Sequence, residues 1–207
     1  MGSLAIRSAC MPMALLLLAA LGLAQEPLPR PEHPRPDLER AEWLNLNGVW
    51  EFAETDDDKD ESFLGERAFP DKILVPFCRE SRLSGLGRRG FVRNVWYRRG
   101  IAVPGHWKSP RIRLHVGASD WRTRAWLNGE FLGAHTGGSA PFAFELTGLL
   151  RPGENRLVLH AFDDPRGGLQ AAGKQSLREE SHGCVYTRTT GIWQTVWLEG
   201  VGETCVR

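Results

Sequence analysis

Apolar residues recur along this chain in short runs that alternate with polar residues, which is the two-residue period of a half-buried β-strand. Residues 111–116 and 156–162 show the alternation most clearly, since every second position in each is apolar. Each run therefore predicts a strand with one face in a core. The residues predicted to face inward are Ile112, Leu114, Val116, Leu157, Leu159 and Ala161.

Two Asn-Gly pairs mark predicted turns. Asn128-Gly129 separates two apolar runs, 124–127 and 130–133, and this dipeptide is the strongest short signal for a β-hairpin. Asn47-Gly48 precedes a run in which Trp50 and Phe52 fall on one face of a strand. Near the end of the chain, the apolar run from 192 to 198 predicts one largely buried strand.

The strand signals return at intervals of roughly ten residues, with Gly, Pro and Asn between them, and no segment keeps a capped helical period. This pattern predicts an all-β fold, an antiparallel β-sandwich of jelly-roll type, over residues 43–200. The segment 163–188 departs from it as a long polar connection. Connections longer than about 15 residues are uncommon unless they bind something, so we predict a functional loop here.

The N-terminal 42 residues predict two segments outside the sandwich. Arg7, the apolar run 11–23 and the small residues before position 25 indicate a signal peptide at 1–24 and an exported protein, periplasmic or extracellular. A retained anchor is the alternative, but about 13 apolar residues fall short of the roughly 20 that span a bilayer. No later run predicts a membrane span. Residues 25–42 are proline-rich and predict a linker, or an arm lying on a partner domain.

Charge and cysteine content limit the classes of ligand and metal that this chain is expected to bind. The 26 basic and 25 acidic residues nearly cancel, which argues against nucleic acid as a partner and favours a neutral or locally recognised one. Cys78, Cys184 and Cys205 follow the signal segment without metal-ligand spacing, so we predict no metal and no cofactor. One disulfide in any of three pairings, or three free thiols, remain open. The acidic run 56–61 favours a solvated loop over a calcium site.

Several short blocks follow one another along the chain: 75–77, 83–85, 94–99, 126–129, 133–138, 141–144, 153–157 and the Gly-Ile-Trp strand at 191–193. In this order they resemble the N-terminal sugar-binding domain of glycoside hydrolase family 2, which includes β-galactosidases and β-glucuronidases. The resemblance implies a jelly roll like the galactose-binding domains, a β-glycoside as the carbohydrate ligand, and a catalytic barrel expected after this domain. Residues 201–207 would then be the truncated start of the next region, and the chain a fragment without its barrel.

The resemblance also implies two substrate-binding residues. Asn94 matches the Asn that precedes the Val-x-Tyr strand in similar β-galactosidases and reaches the sugar; a turn-capping Asn is the alternative. The family often has a sugar-binding Asp six residues before the Gly of Gly-Ile-Trp, where this chain has Val185. Arg188 is the polar candidate nearby, for substrate or for a barrel carboxylate, and otherwise a surface arginine. The valine argues against assigning either enzyme's specificity.

Retaining glycoside hydrolysis needs two carboxyl groups about 5 Å apart, and the family takes both from the barrel. Asp163 and Asp164 are adjacent and would point to opposite faces of a strand, so no catalytic residue is predicted. Three hypotheses follow: the N-terminal domain of an exported family 2 β-glycosidase, a free-standing carbohydrate-binding protein, and a protein-binding adaptor. The first is preferred, and whether the chain alone is an enzyme stays open.

Overall fold

The computed structural model describes residues 27–206, so the predicted signal peptide lies outside the described residues. Short alternating segments form strands throughout this part, and its helical turns are three-residue 3₁₀ segments, at Pro36–Leu38, Ser62–Leu64 and Arg82–Ser84. Within residues 27–206 no helix is long and apolar enough to cross a membrane. The strands are β1 (Trp43–Asn45), β2 (Gly48–Thr55), β3 (Asp71–Val75), β4 (Asn94–Ile101), β5 (Arg111–Val116), β6 (Ser119–Asp120), β7 (Arg122–Leu127), β8 (Glu130–Thr136), β9 (Phe142–Glu145), β10 (Asn155–Phe162), β11 (Gly191–Ile192) and β12 (Val196–Val201).

These strands form two main antiparallel sheets. One has four strands in the order β1-β12-β5-β9, and the other has six in the order β3-β2-β4-β10-β7-β8. A short ladder pairs β11 with β6. The predicted all-β antiparallel sandwich is confirmed, because side chains that alternate on the two inner faces bury each other.

The main core lies between the two sheets and contains every residue predicted to face inward. Leu114 and Leu198 enter it from the four-stranded sheet, and Phe52, Tyr97 and Leu159 from the six-stranded sheet. All five are fully buried. Burial of a side chain of this size contributes about 1.5–3 kcal/mol, so the alternating pattern supplies the driving force for sheet packing.

The two Asn-Gly pairs serve different purposes. Asn128 and Gly129 connect β7 to β8 with positive φ angles of 53° and 91°, as a two-residue hairpin turn requires, so the predicted hairpin is confirmed. At Asn47-Gly48 the chain instead leaves the four-stranded sheet and enters the six-stranded one. Asn47 is buried there, and its side chain accepts from the Val196 backbone amide.

The run from 192 to 198 was predicted as one strand, and that prediction was wrong. The backbone amides of Trp193 and Gln194 both point to the carbonyl oxygen of Ala118, which interrupts the ladder. The part before this break pairs with β6, and the part after it pairs with β5. Apolar composition alone could not reveal the change of partner strand.

The N-terminal arm, residues 27–42, contacts the four-stranded sheet of this same domain. The imidazole of His33 is buried and meets Trp43 edge to face at 4.6 Å. The Arg40 guanidinium binds the fully buried Glu199 carboxylate at 2.7 Å. A charge-assisted hydrogen bond at a buried site fixes the arm in place.

Candidate functional site

Both sequence-predicted site residues lie at one end of the sandwich, where β4 begins and β10 ends. In the ladder Asn94 pairs with Phe162, and Phe162 pairs in turn with Arg122. The segment 163–190 leaves from this edge and returns to β11, so we call this region the loop end. Asn94 and Arg188 do not hydrogen-bond to each other within residues 27–206, although the elements that carry them meet here.

Asn94 stands in a chain of hydrogen bonds that fixes its amide orientation. Its Nδ2 donates to the Asp58 carboxylate at 2.8 Å, and its Oδ1 lies 2.9 Å from His160 Nε2. Burial lowers the pKa of His160 to about 3, helped by Arg124 and Arg122 nearby, so this imidazole is neutral. It donates through Nε2 and accepts from Arg124 through Nδ1 at 3.4 Å.

This chain of hydrogen bonds ties the acidic run 56–61 to the sheet. Asn94 holds Asp58, while Arg124 donates to Glu61 at 2.7 Å. Only 1% of Asn94 is exposed, whereas Asp58 is exposed to solvent. The described residues contain no cluster of His, Cys, Asp and Glu suited to a metal ion. The side chain that the sequence places at the sugar therefore lies beneath an acidic loop in this structure.

Arg188 is also buried, with 2% of its surface exposed. Its guanidinium lies 3.8 Å from the ring centre of Phe91 and donates to the carbonyl oxygens of Arg89, Gly90 and Arg178. Burial lowers its pKa from the ordinary value, and the guanidinium still carries its charge. Arg188 thus joins both sides of the long loop to the 89–91 segment.

A group of buried acids lies under the loop, which sequence reasoning did not bring together. Asp163, Asp120 and Glu80 are at most 6% exposed. Asp163 accepts from Gln170 Nε2 at 2.6 Å and from the Thr190 hydroxyl at 2.9 Å. Glu80 accepts from the Thr190 backbone amide at 3.1 Å. These three acids are spread over 83 positions of sequence, so no motif could have revealed them.

Two of these carboxyl groups have raised pKa values. Burial raises the pKa of Asp163 to about 7, and the nearby Asp120 adds to the effect against the hydrogen bonds from Gln170 and Thr190. Burial likewise raises the pKa of Asp120 to about 6, opposed by a 2.7 Å hydrogen bond from Gln175. Like charges close together in a low-dielectric site disfavour full ionisation.

Asp120 faces Gly138, the last residue of the block 133–138. Gly138 packs so closely on the Asp120 carboxylate that a Cβ would collide with it, so a side chain at position 138 is excluded. The Asp120 Oδ1 atom is buried and without a hydrogen-bond partner in the described part of the chain. The half-buried Trp193 donates through Nε1 to the Gly138 carbonyl at 2.8 Å, which joins the Gly-Ile-Trp segment to this turn.

Gly191 of the same segment has a physical reason to be glycine. Its φ is +78°, in the left-handed region, and a Cβ would collide with the Tyr97 hydroxyl and with Val95. That hydroxyl accepts from the Ile192 backbone amide at 3.2 Å. Gly191 and Ile192 therefore lie directly against β4, three residues after Arg188 in the sequence.

The loop also presents large apolar side chains to solvent. Leu169, Leu177 and Tyr186 are 97%, 57% and 64% exposed. Val185, at the position where the family often has Asp, is half-buried on the same loop. Exposed apolar side chains concentrated on one ordered loop are typical of a surface that another molecule covers.

Comparisons with known proteins place this geometry in context. The family described as glycosyl hydrolases family 2, sugar binding domain, matches residues 87–198. The chain is 30% identical to a β-glucuronidase of Paenibacillus borealis over 130 residues, covering 61% of the chain and 22% of that protein. It is 27% identical to a β-galactosidase of Thermoanaerobacter pseudethanolicus over 112 residues, covering 54% of the chain and 14% of that protein.

Solved structures share the fold. A β-glucuronidase of Bifidobacterium dentium, in complex with coumarin-3-O-glucuronide, superposes with a TM-score of 0.61 and 24% identity over 78% of this chain and 30% of that one. A Ruminococcus gnavus β-glucuronidase gives 0.62 and 18% identity over 80% and 30%. The chain spans between about a seventh and about a fifth of the length of the curated relatives it matches.

Proposed function

The chain belongs to glycosyl hydrolase family 2 as its sugar-binding domain, and from this membership we propose that it is the front domain of an exported β-glycosidase. In this proposal the loop end forms one wall of a substrate pocket. A catalytic barrel would supply the two carboxyl groups that cleave the glycosidic bond. β-Glucuronides and β-galactosides are the first substrates to try, because the relatives' names point to them.

The observation that carries the proposal is the state of segment 163–190. Buried polar contacts hold it at several points, from Asp163 and Asp120 beneath it to Arg188 at its far side. Yet Leu169, Leu177 and Tyr186 on its outer side meet solvent. A long loop that is firmly held but apolar outside is suited to a neighbouring domain, and loops on rigid sandwiches carry binding residues.

The buried acids support assigning cleavage to another domain. Asp163 has no exposed surface, and both of its carboxylate oxygens accept hydrogen bonds within the domain. A catalytic carboxyl group must come within hydrogen-bond distance of its substrate. Asp163 and Asp120 therefore have a structural function in this proposal, although their raised pKa values would otherwise suit acid catalysis.

Asn94 and Arg188 have different roles in the proposed site. Movement of the exposed Asp58 would free the Asn94 Nδ2 donor for a sugar hydroxyl, while His160 keeps the amide in orientation. Arg188 already donates to three carbonyl oxygens, so we assign it to shaping the pocket rim. Its effect on sugar binding would then be indirect, through the position of the long loop.

A titration with glycosides tests this proposal. The ¹⁵N-labelled 207-residue protein is titrated with methyl β-glucuronide, methyl β-galactoside and, as the matched control, free glycerol. We expect one glycoside to shift signals at the loop end, and Asn94→Ala to weaken that binding about tenfold, the effect of one lost hydrogen-bonding side chain. Asn45→Ala, at the opposite side in β1, is the control variant. Glycosides that shift no loop-end signal would overturn the proposed sugar site.

Protein binding by the loop is a second candidate, which the exposed Leu169 specifically favours. Leu169→Ser and Tyr186→Ser keep the polar contacts under the loop, so the fold is expected to persist. Pulldown with a family 2 catalytic domain as bait measures docking by the loop, and the glycoside titration above measures sugar binding, so the two activities are read out separately. Loss of capture without change in glycoside binding would assign the loop to docking.

A further inference from the structure

A cavity lies away from the loop end, where the N-terminal arm crosses the four-stranded sheet. Its volume is about 660 Å³, within the range of small-molecule sites. We call it the arm pocket, and define it by Arg35, Arg40, Arg113, His115, Trp193 and Glu199. The arm contributes the first two arginines, and β5 and β12 contribute Arg113, His115 and Glu199.

The charges of the arm pocket are unbalanced. Three arginines face one carboxylate, Glu199, which already receives Arg40 at 2.7 Å and the Trp197 indole at 2.9 Å. Arg35 has no ion-pair partner among residues 27–206. Arg113 lies 3.9 Å from Glu145, a carboxylate that Arg111 holds at 2.6 Å. Arg35 is therefore left without a counter-charge in the described chain, and Arg113 has only a distant one that it shares with Arg111.

Buried polar atoms in the same place also lack partners. Arg113 Nε and His115 Nε2 are both buried without a hydrogen bond in the described chain. His115 Nε2 lies 3.4 Å from Glu199, without the geometry of a hydrogen bond. A buried polar atom that is left unpaired destabilises the protein, so a ligand that forms hydrogen bonds with these atoms would recover that free energy on binding.

Most of the remaining lining is apolar. Trp193 and Phe142 border the cavity, and His115 stacks on Trp197 at 4.8 Å beneath it. Sugar rings combine C–H faces that pack on aromatic side chains with hydroxyls that need polar partners. A bare inorganic anion would leave this apolar surface in water and most of the volume unfilled.

We propose that the arm pocket binds an acidic sugar, with the carboxylate between Arg35 and Arg113 and the ring against Trp193. A guanidinium matches a carboxylate in two parallel charge-assisted hydrogen bonds, whereas the hydroxyls of a neutral sugar offer only uncharged, weaker acceptors. The site is separate from the sugar contact proposed for Asn94, so either can fail without the other. It gives the domain a preference for uronate-containing glycans that the loop end does not require.

The test is calorimetric titration of the 207-residue protein with sodium glucuronate, and with glucose as the neutral match. We expect glucuronate to bind at least about tenfold more tightly than glucose, and Arg113→Gln to remove that preference. Arg111→Gln is the matched control, because this neighbouring arginine binds the same Glu145 but does not line the cavity. Since Arg113 is half-buried within β5, Arg35→Gln on the arm serves as a second variant that spares the sheet.

Two further measurements, a histidine NMR titration and a phosphate titration, test the proposal. Bound carboxylate should raise the pKa of the His115 imidazole, because an anion favours the charged form, and histidine proton NMR follows it. Equal affinity for glucuronate and glucose, or equal glucuronate affinity in wild type and the Arg35→Gln variant, would overturn the proposal. A phosphate titration with the same affinity as glucuronate would also overturn it, because the sugar ring would then contribute nothing.

Discussion

The Thr190 hydroxyl donates a 2.9 Å hydrogen bond to the Asp163 carboxylate, and thereby joins the two ends of the long loop. Both residues are buried, and the Thr190 backbone amide also binds Glu80 at 3.1 Å. The loop thus leaves and re-enters the sandwich at a single polar anchor.

Replacing Thr190 by Val should destabilise the domain. The change keeps the shape of the side chain but leaves one Asp163 oxygen without its donor in a buried site, at a cost of about 1–3 kcal/mol. Urea unfolding measures the difference. Thr189→Val is the control, because Thr189 uses only its backbone amide, toward Gln175. Equal destabilisation by the two variants would mean that the hydroxyl is not the anchor.

The pH dependence of stability should reveal the buried acids. The folded pKa of Asp163, about 7, lies above the unfolded value of about 3.9, so the native state binds more protons between these limits. Its contribution is therefore present at low pH and is lost as the pH rises to about 7. His160 and His115, whose pKa values are lowered to about 3 and 4, have the opposite effect. The unfolded state binds more protons at these histidines below their usual pKa of 6.5, so their contribution to stability decreases as the pH falls.

A difference measurement separates these effects. The unfolding free energy of the Asp163→Asn variant minus that of wild type should increase from pH 5 to pH 8, because only the wild type loses stability by ionising this site. Asp164→Asn, at the neighbouring half-buried position, is the matched control variant. A flat difference for both variants would show that Asp163 titrates normally in the folded protein.

Glu199→Gln should loosen the arm. The substitution leaves the half-buried Arg40 without its counter-charge, and loss of this charge-assisted hydrogen bond costs about 1–3 kcal/mol. Limited trypsin digestion followed by mass spectrometry should show faster cleavage at the arginines of the arm. Glu203→Gln, at an exposed position, is the control. Unchanged cleavage rates would mean that contacts other than this pair hold the arm.

Gly191→Ala should be one of the most harmful single changes in the domain. A left-handed backbone and a collision with the Tyr97 hydroxyl add a cost of about 2–4 kcal/mol. Thermal unfolding gives the size of the effect. Gly105→Ala, in open space on a loop, is the matched substitution and should be nearly neutral. A near-neutral Gly191→Ala would show that β4 and the Gly-Ile step separate at little cost.

Local sequence determined the strands and their inner faces. In β5 and β10 the side chains predicted to face inward do so, because two-residue alternation follows directly from backbone geometry. The Asn128-Gly129 turn was equally readable, since a tight hairpin requires positive φ angles that these residues adopt easily. The family resemblance also depended on short local blocks, and the match to residues 87–198 confirms it.

Tertiary structure decided everything that depends on which distant segments meet. The break between β11 and β12, the grouping of Glu80, Asp120 and Asp163, and the pairing of Arg40 with Glu199 all join residues far apart in sequence. A charged residue has the same local pattern whether it is solvated or buried, since its partners come from other strands. The sequence by itself therefore specified a sandwich and its family, and only packing determined which polar groups became buried and where ligand-sized space remained.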